Sequence, residues 1–440
     1  GVSEMSAHRS GRLVKKVDVA VIGGGPAGVA AALAAREQGR KVALIERYGF
    51  MGGMATAGMI GSMCGFYGKI DGAPTMLVGG IAARFCERMR ETGGLGPLIE
   101  IYGQTYVVPY DIQAFKFVCD DMIAESGVEL ILHALAMETV TEDGSLREVV
   151  LATKGGKLRL QAEFFVDTTG DGDVAAAAGA PYDLNAERLQ FPSTLFTVAN
   201  ADLKQAAQIT PEKWVELVEM ARERGFRLPR LTGSLRNLPG NGLFRLNVTL
   251  ISRDGKALNG VDAEDLTFAE LEGRRQVREY FRFLKELVPG FADSYIAEIA
   301  PQVGIRETRK IAGEYVLQEE DIRMNALPSD TIALNGWPLE IHGESNRTLW
   351  EFIPGKGYHG IPFRCLQPLG LKNVLVAGRC LSATSRALSA VRVMGPAMAT
   401  GEAAGTAAEL AVGGGLDDSR NLPIERLLRT LEERGAILSL

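Results

Sequence analysis

Residues 17–46 read VDVAVIGGGPAGVAAALAAREQGRKVALIE, and this stretch decides the fold. Val19, Val21 and Ile22 form an apolar run that leads straight into glycine, as a buried parallel strand does. Gly23, Gly25 and Gly28 then fit G-x-G-x-x-G. The first permits a tight turn, the second lets a pyrophosphate approach the backbone, and the third lets a helix pack closely on the strand. Pro26 suits the first turn of that helix, where a missing N–H costs nothing. The free N–H groups and the positive end of the helix dipole would face phosphate. Ala27 to Gln38 is alanine-rich and helical, with Gly39 as its stop. Val42 to Ile45 reads as a second strand, and Glu46 ends it, at the distance where an acid holds a ribose hydroxyl. A carboxylate there repels a 2′-phosphate, which argues against NADP and leaves FAD and NAD.

The residues that follow, RYGFMGGMATAGMIGSMCGFYG, separate these two. Gly52 and Gly53 form a second backbone cradle just past the ribose acid, and Met54, Ala55 and Thr56 stay small and apolar. A plain NAD domain has no need of a second cradle. An FAD domain does, because its chain follows the pyrophosphate toward the flavin. The segment as a whole is too glycine-rich for a regular element.

Further on, the pattern predicts a helix over 79–90, a short strand over 105–108, and a helix over 112–125 capped by Asp111. A strand over 128–132 precedes a meander made from 138–142, 146–153 and 157–160. Glu163 to Asp167 leads into TTGDGDVAAAAGAPY, a strand, glycine turn and short helix. From Asp183 the character changes to amphipathic helices at 214–224 and 266–287 with a strand over 243–252. Lys372 to Ala411 returns to the opening pattern, as a buried strand NVLVAG, a loop RCLSATSRALSAV, and a small-residue helix. The expected organisation is a cofactor domain from residues 14–182, a substrate lobe of mixed sheet and helix from 183–363, a return segment from 364–412, and a linker with a final helix from 413–440.

The 440 residues suffice for two or three lobes. A net charge of −6 gives no electrostatic case for nucleic acid. No apolar run suggests a membrane span, and the start lacks the apolar core of a secretory signal. Gly1 in place of Met reads as a tag remnant, with Met5 as a natural start. The five cysteines lack C-x-x-C spacing, which argues against a zinc ribbon, an iron–sulfur cluster or a thioredoxin-like redox pair and suits a reducing cytoplasm. His8, His133, His342 and His359 do not cluster, so no metal site is expected.

GGGPAG with Glu46, GFMGGMAT, VDTTGDGD, VGIRETR, IPFRCL and NVLVAGRCLSAT with RVMGPAMATGEAAGTAA together resemble the FAD-dependent oxidoreductases that carry a GGMAT signature. These sit within the glutathione-reductase-like and fumarate-reductase-like flavoproteins. The resemblance implies an α/β fold in which a Rossmann-like FAD domain, a parallel sheet with a β-meander, is built from both chain ends. It implies Gly23, Gly25, Ala27 and Gly28 under the pyrophosphate and Glu46 on the adenosine ribose. Arg47, Gly52, Gly53, Met54 and Ala55 would run along the cofactor. Leu135 or Ala136 would meet adenine. Gly170, Asp171 and Gly378 would lie close to the cofactor, and a helix starting near Val393 and Met394 would aim N–H groups at the flavin pyrimidine edge. There reduced flavin carries negative charge that a helix N-terminus stabilises. Many relatives hold the ribitol with an acid after the last strand's glycine. This chain has Arg379 there, a candidate to neutralise phosphate or reduced flavin.

The expected activity is hydride transfer between flavin N5 and a small organic, anionic substrate. The alternative is a flavin-binding scaffold or subunit of a larger redox or modification complex. Arg306 in VGIRETR is the candidate anchor, since arginine forks match carboxylates. His359 in YHGIPFRCL is the candidate proton donor or acceptor, with Tyr358 as a weaker one, and Arg364 the candidate to hold substrate or flavin. Cys64 reads as a small buried residue, and Trp214, Trp337 and Trp350 as packing residues. A homo-oligomer is compatible with the sequence.

Overall fold

The computed structural model describes residues 13–185 and 187–440. Gly1, Met5 and His8 lie outside the described residues.

The opening stretch folds as its pattern requires. The strand Leu13–Ile22 enters the glycine turn, the helix Pro26–Arg36 leaves it, and the strand Val42–Ile45 follows. A seven-stranded sheet runs in the order Glu129–Ile131, Val42–Ile45, Leu13–Ile22, Gly156–Asp167, Ser145–Thr153 and Leu135–Glu142. The returning strand Val374–Val376 pairs in parallel with Phe165–Asp167, off that path. The meander and the strand expected after it are therefore continuous. One twelve-residue strand, Gly156–Asp167, runs parallel to Leu13–Ile22 along one edge from Leu158 onward, while its other edge pairs antiparallel with Ser145–Thr153 through the first half and parallel with Val374–Val376 at the end. Asp111 caps the helix Ile112–Ser126, its carboxylate accepting from Gln113 N (2.9 Å) and Ala114 N (3.4 Å).

The long helix Met394–Gly413 runs through the core against Pro26–Arg36. Its small residues permit backbone-to-backbone approach: a Cβ at Gly401 would lie 2.2 Å from Ala27 O, and one at Gly405 2.1 Å from Ala31 O. This core also takes in Ile332, Ala333 and Ile361, chain that the sequence pattern groups with the central lobe. Beyond it, a four-stranded antiparallel sheet (Ser234–Asn237, Phe244–Asn247, Phe196–Ala199, Tyr295–Ile299) packs with the helices Pro211–Glu223 and Ala263–Leu287 around Trp214 and Phe283.

Two expectations need correction. The glycine-rich run after Glu46 holds a regular strand, Ser62–Ile70, because it is held between Thr105–Pro109, distant in sequence, and the adjoining strand Ala73–Met76. The supposed loop after Gly378 contains the helix Ser385–Val391, capped by Thr384 Oγ1 accepting from Ala387 N at 3.1 Å. The tail is the expected linker and helix, and the helix Ile424–Glu433 docks on the core through Leu427 and Leu431, with Gly80 N donating to Gly435 O at 2.9 Å. Among the described residues no helix is long and apolar enough to cross a membrane.

Candidate active site

Two glycine turns face one another at one end of a single cavity of about 460 Å³, within the roughly 300–1,000 Å³ usual for ligand sites. Gly23 takes a left-handed φ of +105°, and a Cβ there would meet Thr168 O at 2.3 Å. Thr168 Oγ1 lies 2.7 Å from Gly23 O and pins the turn. A Cβ on Gly28 would strike Gly23 O at 1.6 Å, so Gly28 serves helix packing and does not reach the cavity. From the opposite side comes Gly53, whose Cβ would lie 2.9 Å from Gly25 Cα. Gly52, at φ +115°, sets that second turn, and Tyr110 Oη donates to Ala55 O at 2.7 Å beneath it. Any side chain in this seam would fill the space a pyrophosphate needs.

Glu46 is buried on the same wall. Its oxygens accept from Gly24 N (3.1 Å) and Tyr48 N (2.8 Å). Burial raises its pKa, against the pull of these hydrogen bonds. Arg47 spans to the central lobe through Gln302 Oε1 at 2.8 Å. Pro26, Ala27, Met54, Ala55, Gly170, Gly378 and Arg379 also line the cavity. The helix Met394–Gly413 starts at its edge, with Val393 as N-cap and Val393 and Met394 on the lining.

The far end has a different chemistry. The strands Leu339–Ile341 and Leu349–Glu351 place Glu340 directly across from Trp350. Glu340 Oε2 accepts from Trp337 Nε1 (2.9 Å), and Oε1 lies 3.0 Å from His342 Nε2. Thr348 Oγ1 is 3.3 Å from His342 Nδ1 and accepts from Arg230 Nη2 at 3.2 Å. Burial would raise the Glu340 pKa, but the His342 hydrogen bond and the charges of Arg392 and Arg306 outweigh it and keep the carboxylate ionised. Burial, then the charge of Arg306, holds His342 well below its usual range, so the imidazole is neutral. An ionised Glu340 only accepts, which puts the imidazole proton on Nε2 and leaves Nδ1 as an acceptor. Arg306 lines this end, with Nη1 donating to Phe191 O (2.6 Å) and Ser193 Oγ (2.8 Å).

Two of the three catalytic candidates lie elsewhere. His359 is fully buried off the cavity, with Nε2 3.0 Å from Asn335 Nδ2 and Nδ1 2.9 Å from Gly360 O. Burial pushes its pKa down to about 4. It fixes Asn335, whose Oδ1 accepts from Trp337 N at 3.0 Å, so its part is to position the tryptophan. Arg364 is turned outward by the 3-10 turn Phe363–Leu366, forks onto Asp330 (2.9 and 3.2 Å), and lies over Tyr315. Ala136 sits in the meander away from the cavity. The backbone beside Glu46 is Ala134, whose N–H donates to Glu46 O at 3.1 Å. Asp171 is off the lining and pairs with Arg379 at 3.0 Å. Arg379 is therefore already neutralised.

The sequence reading missed Glu340, His342, Thr348, Arg230 and Arg392, and took Trp337 and Trp350 for packing. Glu340 and His342 lie two apart at a strand end, spacing that puts both side chains on one face.

The FAD dependent oxidoreductase family matches residues 18–431. The chain belongs to this family. It is an FAD-dependent oxidoreductase, and FAD is its cofactor. A comparison with curated proteins finds no match. Among solved structures the chain is similar to a geranylgeranyl bacteriochlorophyll reductase-like protein from Thermoplasma acidophilum, at 12% identity over 96% of this chain and 84% of that one, with a TM-score of 0.50. It also matches p-nitrophenol 4-monooxygenase from Pseudomonas putida DLL-E4, at 13% identity over 96% and 85% of the two chains and a TM-score of 0.47. Identities this low speak for the fold alone, and the fold of this oxidoreductase is the α/β arrangement described above.

Proposed function

We propose that this oxidoreductase moves a hydride between flavin N5 and a small anionic organic substrate. The observation that carries the reading is the continuity of one cavity, with facing glycine turns at one end and arginine, tryptophan and glutamate side chains at the other. FAD supplies a two-electron centre there. Gly23, Gly25, Gly53 and the N-terminus of Pro26–Arg36 would hold the pyrophosphate, Glu46 a ribose hydroxyl, and the helix end at Val393 and Met394 the flavin pyrimidine edge. Arg306 would bind a carboxylate, its guanidinium already oriented by Phe191 and Ser193. A proton leaving the substrate has a route through Thr348 Oγ1 to His342 Nδ1, with Glu340 stabilising the imidazolium through Nε2–H. An anion seated on Arg306 removes one cause that holds His342 neutral, so the base gains strength when the substrate is present.

The Gly52–Thr56 run supports a place among the GGMAT-bearing members of the glutathione-reductase-like and fumarate-reductase-like flavoproteins. Residues 14–182 and 364–412 would form the FAD-binding part, 183–363 the substrate lobe, and 413–440 a closing tail. Five free cysteines, four of them buried, support a reducing cytoplasmic setting.

The test is anaerobic. Reduced protein is mixed with unsaturated and oxo acids, and oxidised protein with saturated and hydroxy acids, while the flavin absorbance is followed. At least one acid should change the flavin redox state, more slowly in Arg306→Ala. No change with any acid under anaerobic conditions, with turnover appearing only once dioxygen is admitted, would refute hydride exchange. Turnover only with a co-purified subunit would favour a flavin-binding component of a larger complex.

A further inference from the structure

Five arginines meet on the far end of the cavity: Arg230, Arg236, Arg245, Arg306 and Arg392. Arg236 and Arg245 are cross-strand partners on Ser234–Asn237 and Phe244–Asn247, a like-charge pairing that by itself destabilises a sheet. Arg392 sits in the turn between two helices, immediately before the N-cap Val393. Arg230, Arg245 and Arg306 are each more than nine-tenths buried.

What these guanidinium groups touch orients them without neutralising them. Arg230 donates to Asn247 Oδ1 (2.9 Å) and Thr348 Oγ1 (3.2 Å). Arg245 donates to Ser234 O (2.9 Å) and Ser62 Oγ (3.1 Å). The buried Nε atoms of Arg230, Arg236, Arg245 and Arg392 have no partner, nor has Arg392 Nη2 within hydrogen-bond distance. The carboxylate among them is Glu340, partly buried, 3.8 Å from Arg392 Nη2 and already engaged by Trp337 and His342. Glu100, at the rim, is engaged by Lys69 at 2.8 Å.

Five cations against one carboxylate leave a surplus of four positive charges in a largely buried wall. Guanidinium groups keep their proton in proteins, and burying charge without a partner is costly. Burial and mutual repulsion destabilise the charged form of Arg306 and Arg245, the mark of a site short of anions. Reduced flavin offers a single negative charge, and the facing glycine turns account for the pyrophosphate. More than one charge therefore remains to be met. Beside the arginines, Trp337, Trp350 and Tyr102 form an edge-on aromatic group, with centroids 5.8 and 5.5 Å apart.

We propose that this wall seats a small organic molecule bearing at least two negative charges, as carboxylate or phosphate, with its carbon body against Trp337 and Trp350. The proposal deepens the reading of an anionic substrate and rests on it.

FAD-loaded protein is titrated with isophthalate, pyrophosphate and the monoanion benzoate, following the flavin spectrum and tryptophan fluorescence. Isophthalate or pyrophosphate should bind at least tenfold more tightly than benzoate, with affinity falling as salt rises. The tighter of the two tells carboxylate from phosphate chemistry. Arg392→Gln and Arg306→Gln should each weaken the dianion about tenfold to a hundredfold, while Arg392→Lys recovers part of the loss. Equal affinity for dianion and monoanion in the wild type overturns the proposal, whatever the variants do. So does a dianion affinity unchanged in folded Arg392→Gln. Failure of the flavin to exchange electrons with any organic acid, with dianion binding intact, sinks the hydride-transfer reading instead.

Discussion

Gly401→Ala tests the seam on which the cofactor turn rests. The added Cβ would sit 2.2 Å from Ala27 O, and ordinary contact begins at 3.4 Å, so the two helices must part by about 1.2 Å. The opposing atom is backbone, so no rotamer change relieves the clash. Overpacking of this kind costs roughly 1–3 kcal/mol, and here the upper end applies. Alanine returns about 1 kcal/mol in helix propensity. The net loss is about 2 kcal/mol, enough to lower the melting temperature by a few degrees. Ala27 follows Pro26 and lines the cavity, so the same displacement disturbs the cofactor turn. The assay is thermal unfolding read by the rise of free-flavin fluorescence, with Gly155→Ala as control. A Cβ at Gly155 meets only Thr153 Oγ1, at 3.9 Å. If Gly401→Ala releases FAD at the wild-type temperature, the helices are not in backbone contact and the packing argument is wrong.

Glu402, buried beside Gly80 and accepting from Ile81 N, is pushed up to about 7, chiefly by burial. An acid whose folded pKa is raised loses stability as pH climbs from about 4.5 to 7, here by about 3 kcal/mol, and Glu402→Gln should flatten that limb of a denaturation-versus-pH series. His359 behaves in the opposite sense: its folded pKa near 4 makes the unfolded state bind the proton first, so stability should fall by about 3 kcal/mol between pH 6.5 and 4. A proton titration of His359 near neutrality, by NMR, would contradict this. Glu46→Ala should lower FAD affinity about tenfold to a hundredfold by equilibrium dialysis, a larger effect than the loss of apoprotein stability from freeing Gly24 N and Tyr48 N. Gly25→Val should lose FAD altogether, since its side chain would press on Gly53 across the seam.

The cofactor end was legible because each of its residues answers to a local rule. Gly23 needs a left-handed φ, Pro26 a helix start, and Glu46 a strand end, all within 30 residues of chain. The substrate end is assembled from distant segments. Arg230, Arg306, Glu340 and Arg392 meet only through the central sheet, a strand pair and an interhelical turn, and Arg230 and Glu340 stand in no recognisable motif. Arg306 was found because it lies within a motif that resembles a family. His359 and Arg364 were drawn to the site by proximity in sequence to the return strand. Strand alternation and the Phe363–Leu366 turn then sent their side chains elsewhere.

The strand Gly156–Asp167 has a consequence for synthesis on the ribosome. It is flanked by Leu13–Ile22 on one side and by Val374–Val376 on the other, the latter more than two hundred residues downstream. A nascent chain can pair the first two strands early, yet one border of the nucleotide turn stays open until Gly378 and the helix from Met394 emerge. Cofactor capture is therefore a late, nearly post-translational event. A chain truncated anywhere between residues 28 and 394 carries the complete G-x-G-x-x-G signature and still lacks the helix end that closes the cavity.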